Sequence, residues 1–279
     1  MLKNILFKYL RQFPLEQGKH KVAKNLDLSQ VPRPIIHTNA NGIALELNVD
    51  EYIMRQIFLF DGYEKYIIRH LIKLAKPNMT FIDVGTHIGF YSLTMANFLP
   101  QGKVHAFEPN PYTLSLLHRN VELNPTLSPR IKVNPFGLSD QNEQIEIFYH
   151  KGNLGTSSIY NTSAGLSETV NLTTLDQYCT QNNIQQVDMI KVDIEGAELK
   201  FLKGAQNIIN NSPKLLLAVE IIEENCRKAG YSAKELYEYI ISFGFKPFVP
   251  RGWPFSLTPI DLKPDENFYH TLIFLKGYE

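Results

Sequence analysis

A chain of 279 residues, 44% of them hydrophobic, is long enough for one large domain with a substantial core, and its composition predicts a soluble globular protein. Its 28 Lys and Arg balance 28 Asp and Glu, so the formal charge of zero leaves no global basic footprint and nucleic acid is not an expected partner. The two cysteines, Cys179 and Cys226, lie far apart outside any zinc-site spacing, no apolar run approaches the roughly 20 residues of a membrane span, and no signal-peptide core is visible; a cytoplasmic setting is expected.

In chain order, the opening MLKNILFKYLRQF places Leu2, Ile5, Leu6, Tyr9, Leu10 and Phe13 at helical spacing, with Lys3, Lys8 and Arg11 between them. Such a helix packs on its own domain or on a second copy in a homodimer; a peripheral contact with an anionic membrane is the alternative, without a stable anchor. VPRPII reads as extended and Tyr63–Ala75 as a helix, and residues 1–75 are expected to form an N-terminal cap and substrate lid. From residue 76 onward, apolar runs alternate with helical segments, the pattern of a parallel sheet with crossover helices. Strands are predicted at Thr80–Val84, Lys103–Phe107, Ile131–Asn134, Met189–Val192 and Leu215–Glu220. Helices are predicted at Ile88–Phe98, Pro111–Leu123, Ala197–Asn210 and Ala233–Phe243, the last with Ser232 as N-cap and Gly244 past its end. Two places break the alternation. Residues 144–175 read as inserted antiparallel strands joined by the loop KGNLGTSS, and FKPFVPRGWPFSL with FYHTLIFLK reads as a closing antiparallel hairpin.

Ligands of parallel α/β sheets bind beyond the carboxyl ends of the strands, and polar residues gather at four of these ends. In DVGTHIG, Gly85 allows a tight turn and Gly89 a close helix, while Asp83 suits a cofactor bearing an ammonium better than a pyrophosphate. In VHAFEPN, Glu108 is the expected acceptor for both ribose hydroxyls, with Pro109 holding it at the mouth of the sheet. In FGLSD, Ser139 and Asp140 either meet an adenine edge or close a turn. In IKVDIEGAE, Asp193 and Glu195 alternate into one pocket, and packing alone does not account for two such acids together; Glu198 suits the dipole of the following helix.

Taken together, DVGTHIGFYSL, VHAFEPNPYTLSLLHRNVELN, GLSD, VNLTTLDQY and IKVDIEGAELKFLKGA resemble the FkbM family of S-adenosylmethionine-dependent methyltransferases, over about Asp61 to Glu220. The resemblance implies a Rossmann-like class I methyltransferase fold, an α/β architecture whose mixed seven-stranded sheet ends in an antiparallel hairpin. It places Asp83 and Gly85 at the methionine end of the cofactor, Glu108 with Pro109 on the ribose, Ser139-Asp140 on adenine, and Asp193 and Glu195 near the transferring methyl. The FDGYEKY segment, with Tyr63 and Glu64, is similar to the stretch that roofs the family's pocket. Where the family usually has Ala-Asn, this chain has Thr86-His87; His87 retains a donor for the methionine carboxylate, and its titration is expected to make cofactor affinity pH-dependent near neutrality.

The expected activity is O-methylation of a hydroxyl on a small metabolite, sugar or natural product. Asp193 or Glu195 acts as base or holds a divalent cation such as Mg that acidifies the hydroxyl. Methyl-ester formation on a carboxylate is the alternative, with Lys191, His118 and Arg251 as basic groups to steer the acid, and a catalytically silent cofactor-binding module is a third. Substrate choice is expected in the cap, the KGNLGTSS loop and the RGWPFSL segment around Trp253.

Overall fold

The computed structural model of the protein describes residues 9–11, 23, 26–150, 153–158, 166–252, 254–260 and 268–278. The cap contributes the hairpin β1 (Ile35–Thr38) and β2 (Ala44–Leu47), then helices α1 (Tyr52–Phe60) and α2 (Lys65–Leu74). The alternating region follows as β3 (Thr80–Val84), α3 (Phe90–Phe98), β4 (Lys103–Phe107), α4 (Pro111–Glu122) and β5 (Ile131–Asn134). Next come the insert strands β6 (Gly137–Leu138), β7 (Glu143–His150), β8 (Asn153–Ser158) and β9 (Leu166–Thr173), then α5 (Leu175–Gln181) and β10 (Met189–Val192). The chain continues through α6 (Glu198–Lys203), α7 (Gln206–Asn211), β11 (Leu215–Ile222), α8 (Glu223–Lys228) and α9 (Ala233–Ser242). It closes with β12 (Lys246–Arg251), β13 (Ser256–Pro259) and β14 (Tyr269–Lys276).

The main sheet has the order β13-β12-β14-β11-β10-β3-β4-β5, with β11, β10, β3, β4 and β5 parallel and the last three strands antiparallel. It therefore carries eight strands where seven were expected. The additional one is β13, formed by the end of the RGWPFSL segment and paired along β12. A second sheet, β6-β9-β7-β8, holds the insert; part of the expected KGNLGTSS loop is itself a strand, because β7 offers it an edge to pair with.

Helix α4 begins at Pro111, with the Asn110 side chain accepting from the Tyr112 N–H, and α9 carries a full Ser232/Glu235 capping box. The predicted helix over 197–210 is broken into α6 and α7 at Gly204. A Cβ on Gly204 would lie 1.9 Å from the Ser139 carbonyl oxygen, so the chain bends where it crosses the end of β6.

Strand periodicity divides the core in two. Phe81, Met189, Leu216 and Ile273 face one cluster, and Ile82, Ile190, Leu217 and Phe274 the other. The first cluster also contains Ile43, Leu45, Met54, Ile57 and Leu71 beside Tyr91, Leu93 and Met95 of α3, so residues of the cap and α3 together cover that face. Of the predicted N-terminal helix, residues 9–11 are helical with Leu10 fully buried in this cluster; most of the rest lies outside the described residues. The described residues contain no helix long and apolar enough to cross a membrane.

Candidate active site

The carboxyl ends of β3, β4 and β10 open on a cleft that brings together the glycine loop, Glu108 and the Asp193–Glu195 turn. Its floor is Val84, Gly85 and Phe107, and Ile145, Ile147 and Leu172 of the insert form an apolar wall. Glu108, Asp193 and Glu195 supply its acidic lining.

Gly85 decides the approach of the two loops. Its φ is +79°, and a Cβ would sit 2.0 Å from the Asp193 carbonyl oxygen, so no side chain fits there. The Gly85 and Thr86 N–H groups both donate to the Phe107 carbonyl at 3.1 Å, which ties the glycine loop to β4. His87 follows in the left-handed region, φ 53°, and its N–H donates to Glu108 Oε2 at 3.0 Å; the Asn110 N–H donates to Oε1 at 2.9 Å. Burial pushes the Glu108 carboxyl up to about 8 in spite of these two donors.

Several residues expected on the cofactor hold the loop instead. Asp83 is fully buried and lies behind the cleft, with Oδ2 accepting from the Thr86 and Ser92 hydroxyls at 2.7 and 2.6 Å and Oδ1 without a hydrogen-bond partner. Thr86 is committed to that contact. Ser139 lines the cleft and its hydroxyl donates to Asp140 at 3.1 Å, whereas the Asp140 side chain is exposed and outside the cleft. His87 does line it, with a buried Nε2 that has no partner. Burial lowers the His87 pKa to about 4, so the titration expected near neutrality moves to acid pH and the ring is neutral at pH 7.

The acid end is larger than the sequence suggested. Asp193 and Glu195 are joined by Glu220 from β11, the three offering carboxylate oxygens within 4.8 Å of one another. Lys191, 4% exposed, donates to Asp193 Oδ2 at 2.8 Å and lies 4.5 Å from the centre of the Tyr91 ring. Burial alone would raise the Asp193 carboxyl; the Lys191 charge and hydrogen bond overcome it and leave Asp193 below the usual range. Glu195, held at φ 53°, accepts from Asn225 Nδ2 at 2.7 Å; burial, then the neighbouring Asp193 and Glu198, push it up to about 7. Burial and the charges of Asp193, Glu64 and Glu195 push Glu220 up to about 10, so it carries a proton and is hydrogen-bonded to Asp193. Glu64 reaches the same group from the cap, accepting from the Tyr91 hydroxyl at 2.8 Å and the Thr271 hydroxyl at 3.1 Å.

Glu198 does more than suit a helix dipole. Its Oε1 accepts from the Ile194 and Gly196 N–H groups, both at 3.2 Å, and so shapes the turn that presents Glu195. Tyr63 packs partly buried against the cap-side core. Trp253 lies outside the described residues; its neighbour Phe255 stacks on His70 of α2 with ring centres 3.9 Å apart. Glu220 and Lys191 went unassigned to the catalytic group, although an acid at the end of a parallel strand was the signal that found the others. Tyr91 and Asn225 carry no such local signal.

Residues 83–247, more than half of the chain, match the family model for the methyltransferase FkbM domain. The chain belongs to the FkbM methyltransferase family. Within it, the chain is similar to methyltransferase sdnD of Sordaria araneosa, at 29% identity over 184 residues, 55% of this chain and 68% of that protein. It also resembles the hexuronic acid methyltransferase AglP of Haloferax volcanii, at 27% over 148 residues, 53% of this chain and 59% of AglP. The AMB antimetabolite synthetase AmbE of Pseudomonas aeruginosa matches at 26% over 198 residues, 57% of this chain but 9% of that longer protein. The FkbM match runs from Asp83 to the start of β12 and so includes the glycine loop, Glu108, Asp193 and Glu195.

Proposed function

We propose that this FkbM methyltransferase uses S-adenosylmethionine to methylate a hydroxyl of a small metabolite, sugar or natural product. The observation that carries the reading is one cleft lined by Glu108, Asp193 and Glu195, the last two grouped with Glu220. The residues fit the cofactor. Glu108 offers its carboxyl group to a ribose diol, and the apolar wall of Ile145, Ile147 and Leu172 suits a flat base. The partnerless His87 Nε2 supplies a hydrogen-bonding atom for a methionine carboxylate. Bound there, S-adenosylmethionine supplies a methyl group on a positively charged sulfur.

What the chain itself does is position the acceptor and remove a proton. Glu195 is better suited to this than Asp193, because its pKa of about 7 matches a base working near neutrality while Asp193 is held by Lys191. Glu195 would take the proton of the acceptor hydroxyl as the methyl passes from the sulfonium sulfur, whose carbon–sulfur bond breaks, to the hydroxyl oxygen. Orientation of the reactants contributes on the order of 7 kcal/mol in favourable cases.

A second reading is methyl-ester formation on a carboxylate, supported by the likeness to a hexuronic acid methyltransferase, whose named substrate carries both hydroxyls and a carboxylate. Calorimetric titration with S-adenosylhomocysteine and with NAD, followed by transfer assays against paired hydroxylated and carboxylated acceptors, separates the readings. Binding of the first ligand, transfer to a hydroxyl and a loss of about 100-fold or more in kcat for Glu195→Gln support the proposal. Transfer confined to carboxylates with Glu195→Gln unimpaired favours the ester. Cofactor binding with no transfer at all marks a silent module, and tight NAD binding alone removes the reading.

A further inference from the structure

We propose that the Lys191 ammonium is the resident cation of the acid group, standing where a divalent metal would otherwise balance the carboxylates, so that methyl transfer by this chain is metal-independent. The inference rests on the assignment of the cleft as a methyltransferase site. Asp193, Glu195 and Glu220 place oxygens within 4.8 Å of one another, the arrangement that a divalent ion requires. Such an ion would share Asp193 with an ammonium already 2.8 Å from Oδ2. The two like charges would face each other with little water between them to screen the repulsion.

Lys191 has no room to withdraw. It stands on β10, between β3 and β11, with its side chain 4% exposed and its ammonium 4.5 Å from the centre of the Tyr91 ring. Asp83 is its direct partner across the β3 and β10 ladder, so both side chains leave the same face, and the Asp83 Oδ1 atom has no hydrogen-bond partner. A buried Asp83 carboxyl on one side and Asp193 on the other give the ammonium an acidic surround that moving it would leave uncompensated. Lys191 is thus a positioning residue. It fixes one oxygen of Asp193 and supplies the group's positive charge, and Glu195 is left to meet the acceptor.

The test uses the full chain and Mn²⁺ as the metal probe. In the wild type, calorimetry and paramagnetic titration are expected to detect no Mn²⁺ binding below about 1 mM, weaker than most dedicated divalent sites, and EDTA-treated enzyme is expected to transfer methyl at the untreated rate. Lys191→Met is expected to lower kcat by about 100-fold, the scale of a misplaced reacting group, with S-adenosylhomocysteine affinity and acceptor KM within about 3-fold. The same variant should bind Mn²⁺ at least about tenfold more tightly than the wild type, because the carboxylates lose their internal cation. Lys191→Arg, which keeps the charge, should recover most of the lost kcat without gaining Mn²⁺ affinity.

Micromolar Mn²⁺ binding by the wild type at this group, or activity lost in EDTA and restored by Mg²⁺, overturns the inference. So does a folded Lys191→Met variant with wild-type kcat. If that variant fails to fold, the wild-type metal titration and Lys191→Arg decide the matter. If no acceptor is methylated at all, the proposed function fails, whereas the metal titrations still report on Lys191 separately.

Discussion

His87 and Glu108 are joined by one hydrogen bond and titrate in opposite directions, because burial disfavours the charged form of each. The His87 pKa of about 4 leaves the ring neutral from pH 5.5 to 7.5. His87→Asn is therefore expected to keep S-adenosylhomocysteine binding and to show the same pH profile as the wild type over that window, measured by calorimetry; Asn also tolerates the φ of 53°. A pH-dependent gap between the two proteins would place the ring's titration near neutrality after all. For Glu108 the folded value, about 8, lies above the ordinary 4.5, so the native state holds a proton that the unfolded chain releases. Its contribution to stability is full below pH 4.5 and falls as pH rises towards 8, by at most about 1.4 kcal/mol per pH unit. Thermal melts of the ligand-free protein should then show the Glu108→Gln midpoint gaining on the wild type by a few degrees between pH 5 and 8, and no further above 8; a constant offset refutes the assignment. Glu108 was legible as a candidate site residue from an acid followed by proline at a strand end, and it does line the cleft. Its raised pKa was not, because depth of burial depends on what packs over the strand.

Among the elements, α4 does two things with one sequence. Its amino end follows Glu108, and its carboxyl half serves the cap: Asn120 accepts from the Glu46 N–H at 2.7 Å and donates to the Ile88 carbonyl at 2.9 Å. Asn124 likewise accepts from the Ala44 N–H and donates to the Ala44 carbonyl, so the two side chains satisfy the open edge of β2. Asn120→Ala would strand two backbone groups at a fully buried site, each worth about 1–3 kcal/mol. Urea melts should show a loss of about 2–4 kcal/mol with an unchanged m-value; a loss below about 0.5 kcal/mol would mean that water replaces the side chain. The helix itself was readable from Pro111 and the apolar spacing. The reason for its asparagines was not, since their partners in the cap lie more than seventy residues away. The same distinction separates β7, legible from its alternating IEIFYH, from β8, whose Asn, Gly and Ser residues became a strand only because β7 supplies an edge. The single helix expected over 197–210 failed for a like reason, as the break at Gly204 answers to the Ser139 carbonyl.

Across the whole molecule, α5, α6, α7 and α9 pack on one face of the sheet, and the cap shares the other with α3: Ile43, Leu45, Met54, Ile57 and Leu71 lie in one cluster with Phe81, Leu216 and Tyr91, Leu93 and Met95 of α3. A fragment of residues 76–279 would uncover the part of that face on which the cap packs. At about 25 cal/mol per Å² of apolar surface, that exposure works directly against the 5–15 kcal/mol by which typical domains are stable. The fragment is expected to bind ANS, lose near-UV circular dichroism and unfold without a cooperative transition; a sharp two-state melt would show that the cap is dispensable for folding. The cap also delivers Glu64 to the acid group, so the fragment is expected to lack transfer activity even where it retains secondary structure.

The sequence by itself determined the alternation of strands and helices, the strand ends at Asp83, Glu108 and Asp193, the glycine at 85 and the antiparallel ending, because each follows from local periodicity, from turn chemistry or from short motifs. Only the tertiary structure decided that Asp83 and Thr86 brace the loop from behind and that Glu64, Lys191, Asp193, Glu195 and Glu220 form one group. Charge and ionisation in that group depend on which strands are neighbours and on how little water reaches them. Those are long-range properties of packing, and no window of the chain contains them.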